Sequence, residues 1–197
     1  MSRRVAALLI GAALGVLAVG GAYLLLRPPP PAQPATPVSG PAAGTAPAAP
    51  AVEAPWEVTL YFPSTSGLLA PETRELEAGA SPSESVARVV RALLAGPTVA
   101  GLVPAFPPEV SLARALLMPD GTAYVDLRGE EGAEPPAAGS EMEMLSVYSL
   151  VDTVVWSVPE AERVVLLWNG EQRQSLSGHV NTGSPLVANR RLLTSPP

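Results

Sequence analysis

The stretch from Ser140 to Gly170, SEMEMLSVYSLVDTVVWSVPEAERVVLLWNG, constrains the fold more than any other part of the chain. Ser140 and Glu143 have the spacing of an N-terminal capping box, and apolar residues then recur at helical intervals. This apolar stripe consists of Met144, Val147, Tyr148, Val151, Val154 and Val155. Val164 to Trp168 is typical of a strand buried on both faces, and Asn169-Gly170 is typical of a two-residue hairpin turn. A helix, a buried strand and a hairpin in succession need a sheet on which to pack.

The residues around this stretch predict that sheet and a second helix. Ser81-Pro82-Ser83-Glu84 is a helix-start pattern, and Gly96-Pro97 ends the helix. Strands are predicted at Trp56–Phe62, Leu68–Leu76, Leu112–Met118, Thr122–Leu127 and, after the hairpin, Glu171–Leu176. The tail, Ser177 to Pro197, is expected to lie across the domain. We therefore expect residues 56–197 to form an α/β fold, a two-layer α+β sandwich with a mixed sheet and two helices on one face.

The N-terminal residues 1–27 predict a membrane anchor. The uncharged run from Val5 to Leu26 is long enough to cross a hydrocarbon core about 30 Å thick. Arg3 and Arg4 precede this run, so we expect a single-pass protein of the inner (cytoplasmic) membrane with its N-terminus inside and its C-terminal domain outside the cytoplasm. The alternative is a cleaved signal peptide, with a weak site at Ala18-Val19-Gly20. Gly11-x-x-x-Gly15 is a pattern through which two such helices pack closely in a homo-oligomer.

Residues 28–55 predict a disordered linker, because they hold 10 of the chain's 24 prolines and little large apolar surface. The chain carries a net charge of −6, and the part beyond the linker is more acidic still, since three of the 12 arginines precede it. An acidic domain is repelled by phosphate backbones, so nucleic acid is not expected as a partner.

The inventory of reactive groups is almost empty. There is no Cys and a single His, which excludes disulfides, thiol chemistry and any metal site made of several histidines. The sequence has no nucleophile elbow, no glycine-rich phosphate loop and no EF-hand loop. We therefore expect no cofactor, no metal and no enzymatic activity.

Five residues are candidates for partner binding or for a structural motif: Glu72, Arg74, Tyr124, Asp126 and His179. Glu72 and Arg74 share a strand face, and the favoured interpretation is an ion pair that fixes the first hairpin; the alternative is a ligand site. Tyr124 and Asp126 share a face of another predicted strand. His179 is expected to hold the tail against the sheet by a hydrogen bond, with catalysis as the alternative. Glu72 and Asp126 are also candidates for the pair of carboxylates that sugar hydrolysis needs. They are weak evidence for such an enzyme, because any acidic domain offers such pairs.

A series of motifs resembles the GerMN domain family of sporulation and spore-germination proteins. These motifs are Leu60-Tyr61-Phe62-Pro63, Leu69-Ala70-Pro71-Glu72-Thr73-Arg74, Leu93-Leu94-Ala95-Gly96-Pro97, Asp120-Gly121-Thr122-Ala123-Tyr124-Val125-Asp126-Leu127, Thr153, Asn169-Gly170 and Ser177-Gly178-His179-Val180. Their order and spacing fit over residues 57–187. The last motif departs from the family at Asn181, where an Asp is expected, and this weakens any essential role for an acid there.

The resemblance implies a fold similar to ring-building motifs and a membrane-tethered or lipoprotein module outside the cytoplasmic membrane. It also implies an assembly or binding element near peptidoglycan, without established enzymatic activity. Three functions are therefore weighed. The first is a non-catalytic envelope module that binds an envelope protein or peptidoglycan; the second is a peptidoglycan hydrolase or an accessory that activates one; the third is a structural homo-oligomer that builds a ring or a dimer.

Overall fold

The computed structural model describes residues 55–131 and 133–195. In chain order the elements are β1 (Trp56–Pro63), β2 (Leu69–Leu76), α1 (Pro82–Leu94), β3 (Ser111–Leu117), β4 (Thr122–Arg128), α2 (Ser140–Ser157), β5 (Arg163–Trp168) and a 3₁₀ turn at Arg190–Leu192. The predicted anchor, with its Gly11-x-x-x-Gly15 pattern, and the linker up to residue 54 lie outside the described residues. Among the helices that are described, none is both long and apolar enough to cross a membrane.

The α/β class is confirmed, but the predicted single mixed sheet is wrong. The strands form two sheets: β1 and β2 make an antiparallel pair, while β4 lies between an antiparallel β3 and a parallel β5. The helices pack on each other, α1 also packs on β3, and α2 packs on β1 and β5.

The free edge of β1 is occupied by side chains of α2, which explains why the two sheets stay separate. Ser149, Thr153 and Ser157 recur every fourth residue, so they form one row along the helix. The Ser149 hydroxyl donates to the Tyr61 carbonyl and the Ser157 hydroxyl to the Thr59 carbonyl, while the Thr153 oxygen accepts from the Tyr61 N–H at 2.9 Å. These bonds satisfy the backbone groups that a further strand would otherwise need.

Helix α1 begins and ends as its sequence predicts. The Ser81 side chain accepts a hydrogen bond from the Glu84 N–H, Pro82 occupies the first turn, and Gly96 follows the helix with a φ of +84°. Only glycine adopts such a φ readily, so the glycine ends the helix at a defined place. Its buried face is formed by Val86, Val89, Val90 and Leu93.

The start of α2 differs from its prediction. The residue before the helix is Gly139, and no side chain caps it, so the predicted capping box of Ser140 and Glu143 is wrong. Glu143 is instead buried and turned toward the segment 175–179, which offers it more hydrogen-bond donors than one free backbone N–H. The helix is buried around most of its circumference rather than along one stripe.

The hairpin turn after β5 is confirmed, but the strand predicted beyond it is wrong. Asn169 and Gly170 both have positive φ, 52° and 82°, as a type I′ turn requires. Glu171 then makes a single bridge to Trp168, and the following residues bond to Thr182 instead, through the Thr182 N–H to the Gln174 carbonyl. The edge of β5 is occupied by Leu186, which exchanges two backbone hydrogen bonds with Val164.

The main core lies between the two helices and the inner faces of both sheets. A smaller cluster of Tyr61, Leu69, Leu145 and Leu193 lies beneath the C-terminal tail, whose residues 186–194 cross the domain as predicted. The Thr194 N–H donates to the Leu69 carbonyl at 2.8 Å, which joins the tail to β2. The tail therefore completes the core rather than projecting from it.

Candidate functional site

An open apolar groove of about 350 Å³ lies between two proline-rich loops. Its walls are formed by the loop Pro104–Pro108, by the loop Pro136–Ala138 and by Met142 and Ser146 of α2. Leu176 and Ser177 close one end. We call this feature the apolar groove. Because proline has a fixed φ, such walls lose little conformational freedom when a ligand binds.

Glu143 holds one end of the apolar groove in place. Its side chain is 2% exposed and accepts from the Ser175 hydroxyl at 2.7 Å and from the Ser177 N–H at 2.8 Å. The Leu176 N–H donates to the same oxygen, Oε1, at 3.1 Å. The other oxygen accepts from the His179 N–H at 2.8 Å and lies 2.9 Å from His179 Nδ1. One buried carboxylate thus folds the segment 175–179 onto α2.

The surroundings of Glu143 determine its charge. Burial by itself would raise its pKa, but hydrogen bonds from the Ser177 N–H, the Ser175 hydroxyl and His179 outweigh burial and lower the pKa to about 2. Glu143 is therefore ionised at neutral pH, and both oxygens are occupied. It acts as an anchor for the loop and has no proton to donate in catalysis.

Glu72 and Arg74 form a second anchor, at the C-terminal end of α1. Glu72 is 3% exposed, pairs with Arg74 and accepts from the Thr98 and Val99 N–H groups at 2.9 and 3.0 Å. Arg74 donates to the Ala92 carbonyl in the last turn of α1 and to the Gly96 carbonyl just after the helix. Its guanidinium group also lies 5.6 Å from the centre of the Phe62 ring. Burial opposes ionisation of Glu72, yet the hydrogen bonds from Val99, Arg74 and Thr98 lower its pKa to about 2. The pair thus joins β2 to α1 and to the segment that leads into the apolar groove.

The other predicted residues lie elsewhere. Tyr124, 38% exposed, and Asp126 share the outer face of β4, as the alternation predicts, and line a shallow depression of about 220 Å³ with Arg114 and Leu116. Asp126 accepts from the Gly170 N–H at 2.8 Å and thereby supports the turn after β5. His179 contacts Glu143 on α2 rather than the sheet. The five candidate residues thus occupy three places, and among these five a hydrogen bond joins Glu72 to Arg74.

Sequence reasoning missed Glu143 and Asp152. Glu143 was assigned to a local capping box, and its true partners lie 32 to 36 residues further along the chain. Asp152 is fully buried and accepts from the Asn189 N–H at 2.7 Å, and its second oxygen has no hydrogen-bond partner among the described residues. Burial raises its pKa to about 6, against the effect of that hydrogen bond. A single acid within the apolar half of a predicted helix was the signal that could have identified it.

Among residues 55–131 and 133–195, no group of three or more His, Asp or Glu side chains is arranged to hold a metal ion. The charged groups nearest the apolar groove serve its loops. The site as built can bind an apolar ligand, with its backbone scaffold fixed in advance.

A known protein family and several solved structures are similar to this chain. The Germane family, described as sporulation and spore germination, matches residues 59–174. Among solved structures, the chain is similar to a candidate lipoprotein from Clostridium perfringens, at 19% identity and a TM-score of 0.49, over 68% of this chain and 87% of that one. It is similar to the first GerMN domain of the sporulation protein GerM from Bacillus subtilis, at 19% identity and a TM-score of 0.49, over 68% and 98% of the two chains.

The tandem GerMN domains of the same Bacillus subtilis protein align at 18% identity and a TM-score of 0.45, over 68% of this chain and 45% of that one. No curated protein matches the sequence. The match to the Germane family spans more than half of the residues, and the chain therefore belongs to this family of sporulation and spore-germination domains.

Proposed function

We propose that the protein is a non-catalytic module of the bacterial cell envelope that binds a partner in the apolar groove. The observation that carries this proposal is the use of the buried carboxylate Glu143: all of its hydrogen-bonding capacity fixes the segment that closes the groove. A buried ionised group is costly unless it is fully paired, so it is retained where it organises a surface that must be rigid.

The proposed setting is the outer side of the cytoplasmic membrane. The apolar run from Val5 to Leu26 would anchor the chain, and the proline-rich linker would hold the domain at a distance from the bilayer. In this arrangement the partner is an envelope protein or peptidoglycan. Self-association through Gly11-x-x-x-Gly15 would bring two domains together without using the apolar groove.

Site-specific photo-crosslinking in living cells tests the binding surface. The full chain is expressed with a photo-reactive amino acid at Met142, which is 39% exposed in the apolar groove, or at Val187, which is 61% exposed on the tail. We expect a discrete adduct from position 142 and none from position 187. Adducts of equal yield from both positions, or none from position 142, would contradict a binding role for the groove.

Incubation with purified peptidoglycan tests the non-catalytic part of the proposal against the hydrolase alternative. We expect no release of soluble fragments by the full chain, because Glu72 and Glu143 are ionised and fully hydrogen-bonded. Release that a Glu72→Gln or Glu143→Gln variant abolishes, with the variant still folded, would establish the alternative. The same assay with a known hydrolase added would reveal an accessory role, as faster release in the presence of the chain.

A further inference from the structure

A second, acidic depression lies next to the apolar groove. The two cavities are neighbours because Pro136 lines both of them. The second cavity, of about 400 Å³, is lined by Glu109, Glu130 and Glu134, with Trp168 among its apolar contacts. We call it the acidic depression. Among the residues that the structure describes, no Arg or His lines either cavity, so an apolar surface adjoins a negative one.

Two of these carboxylates are available to a partner. Glu134 forms an ion pair with Arg173, which neutralises it. Glu109 and Glu130 are exposed and make no ion pair or side-chain hydrogen bond with the residues that the structure describes. Their charges take no part in ion pairs of the described residues, and they stand beside a groove in which the charge of Glu143 is already held by hydrogen bonds.

Resting on the proposed function of the groove, we propose that its ligand is a protein segment in which apolar side chains are followed by Lys or Arg. The apolar side chains occupy the space between Pro104–Pro108 and Pro136–Ala138, and the basic side chains lie beside Glu109 and Glu130. Burial of apolar surface supplies the affinity, while opposite charges fix the direction of the segment and speed its association. Such a pairing is the usual arrangement of an apolar centre with a polar rim at protein interfaces.

The groove chemistry favours a peptide over a glycan or an anionic lipid. Two of the polar side chains at the groove are already paired: both Glu143 oxygens are occupied, and the Ser177 hydroxyl donates to the Pro136 carbonyl at 2.8 Å. Few partners are left for sugar hydroxyls. Phosphate headgroups would meet Glu109 and Glu130, which repel them.

The test is a binding titration with the full chain in nanodiscs of neutral phosphatidylcholine. Three fluorescent ten-residue peptides serve as probes. In the first, Leu-Phe-Leu precedes Lys-Arg-Lys; in the second, Leu-Phe-Leu precedes Glu-Asp-Glu; in the third, Ser-Gly-Ser precedes Lys-Arg-Lys. We expect the first peptide to bind at least about 10-fold more tightly than either of the others, a difference of about 1.4 kcal/mol.

Two variants locate the peptide, each with a matched control. Ala137→Trp fills the apolar groove from an exposed position and should abolish binding, whereas Ala80→Trp, exposed before α1, should not change it. The double variant Glu109→Gln and Glu130→Gln should weaken the basic peptide about 5- to 10-fold and reduce its salt dependence. The double variant Glu57→Gln and Glu160→Gln changes two exposed carboxylates outside both cavities and should leave binding unchanged.

Each other outcome overturns the inference. Equal binding of the basic and acidic peptides would remove the role of the acidic depression. Loss of binding in the Ala80→Trp variant, or none in the Ala137→Trp variant, would move the site elsewhere. Absence of binding to all three peptides, with a crosslinked partner still formed from position 142 in cells, would overturn the peptide assignment and leave the envelope-binding function standing.

Discussion

Glu143 accepts five contacts from a segment more than 30 residues away, and its neutral amide counterpart cannot replace it. We expect Glu143→Gln to destabilise the domain by about 3 kcal/mol at pH 7, since an amide NH₂ would face backbone N–H donors. Urea unfolding of the domain, residues 56–197, would measure the loss. Glu141→Gln, an exposed change in the first turn of the same helix, is the control and should be nearly neutral.

The pH dependence of that difference follows from the lowered pKa of Glu143. A carboxyl group with a folded-state pKa of about 2 stabilises the domain above its unfolded value of 4.5, and this stabilisation is lost as the pH falls from 4.5 toward 2. The wild type and Glu143→Gln should therefore converge in stability over this range. A constant difference down to pH 2 would contradict the role of the ionised carboxylate.

Asp152 titrates in the opposite sense. Because burial raises its pKa to about 6, the folded state holds this proton more tightly than the unfolded chain, and stability falls as the pH rises from about 4 to 6. Asp152→Asn keeps an oxygen for the Asn189 N–H and removes the charge. We expect the variant to be about 2 kcal/mol more stable than wild type at pH 7.5 and equal to it near pH 3.5. Urea unfolding at both pH values provides the comparison, and equal stability at pH 7.5 would refute the assignment.

Residues like these show where sequence reasoning reaches its limit. The pairing of Glu72 with Arg74 could be predicted, because two side chains two residues apart on a strand share a face. For Glu143, a capping box is an equally good local explanation. A single sequence does not show that this carboxylate binds donors 32 to 36 residues away instead of the N–H at the helix start. A long-range choice between satisfied polar groups is decided by the assembled fold.

At the level of elements, the hydroxyl row of α2 is the least predictable feature. Ser149, Thr153 and Ser157 recur every fourth residue, but this spacing alone does not show which backbone groups their hydroxyls contact. Their hydroxyl groups bind the backbone of β1, the first strand of the domain, which is distant from α2 in the sequence. The prediction of a strand at Glu171–Leu176 was wrong for a related reason. Leu186, from further along the chain, pairs with the edge of β5 in place of that segment. In contrast, the boundaries of α1 were predictable, since a capping serine, a proline and a glycine act locally.

The hydroxyl row is testable at its central member. Thr153→Val removes the acceptor of the buried Tyr61 N–H without a change in shape, and we expect a loss of about 1–3 kcal/mol in the free energy of unfolding. Thr153→Ser keeps the acceptor and removes one methyl group, so it should cost about 1 kcal/mol. If the valine variant is as stable as the serine variant, the hydrogen bond to β1 contributes nothing.

For the molecule as a whole, the α/β class followed from the alternation of helix and strand patterns, whereas the division into two sheets did not. The apolar groove was also invisible in the sequence. Its walls come from Pro104–Pro108 and Pro136–Ala138, two proline-containing segments that are distant in the sequence. The first lies between α1 and β3 and the second between β4 and α2, and the fold brings them together.

Topology can be examined with reporters fused after Pro197. Because we propose that the domain lies outside the cytoplasm, alkaline phosphatase, which needs an oxidising compartment, should be active in this fusion. A green fluorescent protein fusion, exported unfolded, should be dark. Deletion of residues 5–26 should reverse both results. A fluorescent fusion of the intact chain with inactive phosphatase would place the domain in the cytosol and refute the proposed topology.

The side-chain hydroxyls along β1 also bear on how copies of the protein meet. An exposed edge strand can pair with strands of other chains and cause aggregation, and proteins prevent this with charged residues, bulges or prolines. In this domain α2 covers the edge of β1, so the backbone groups at this edge are not free to pair with a strand of a neighbouring chain. Intermolecular β-augmentation at β1 would therefore first require α2 to detach, and a ring, dimer or filament made from this module has to use other surfaces.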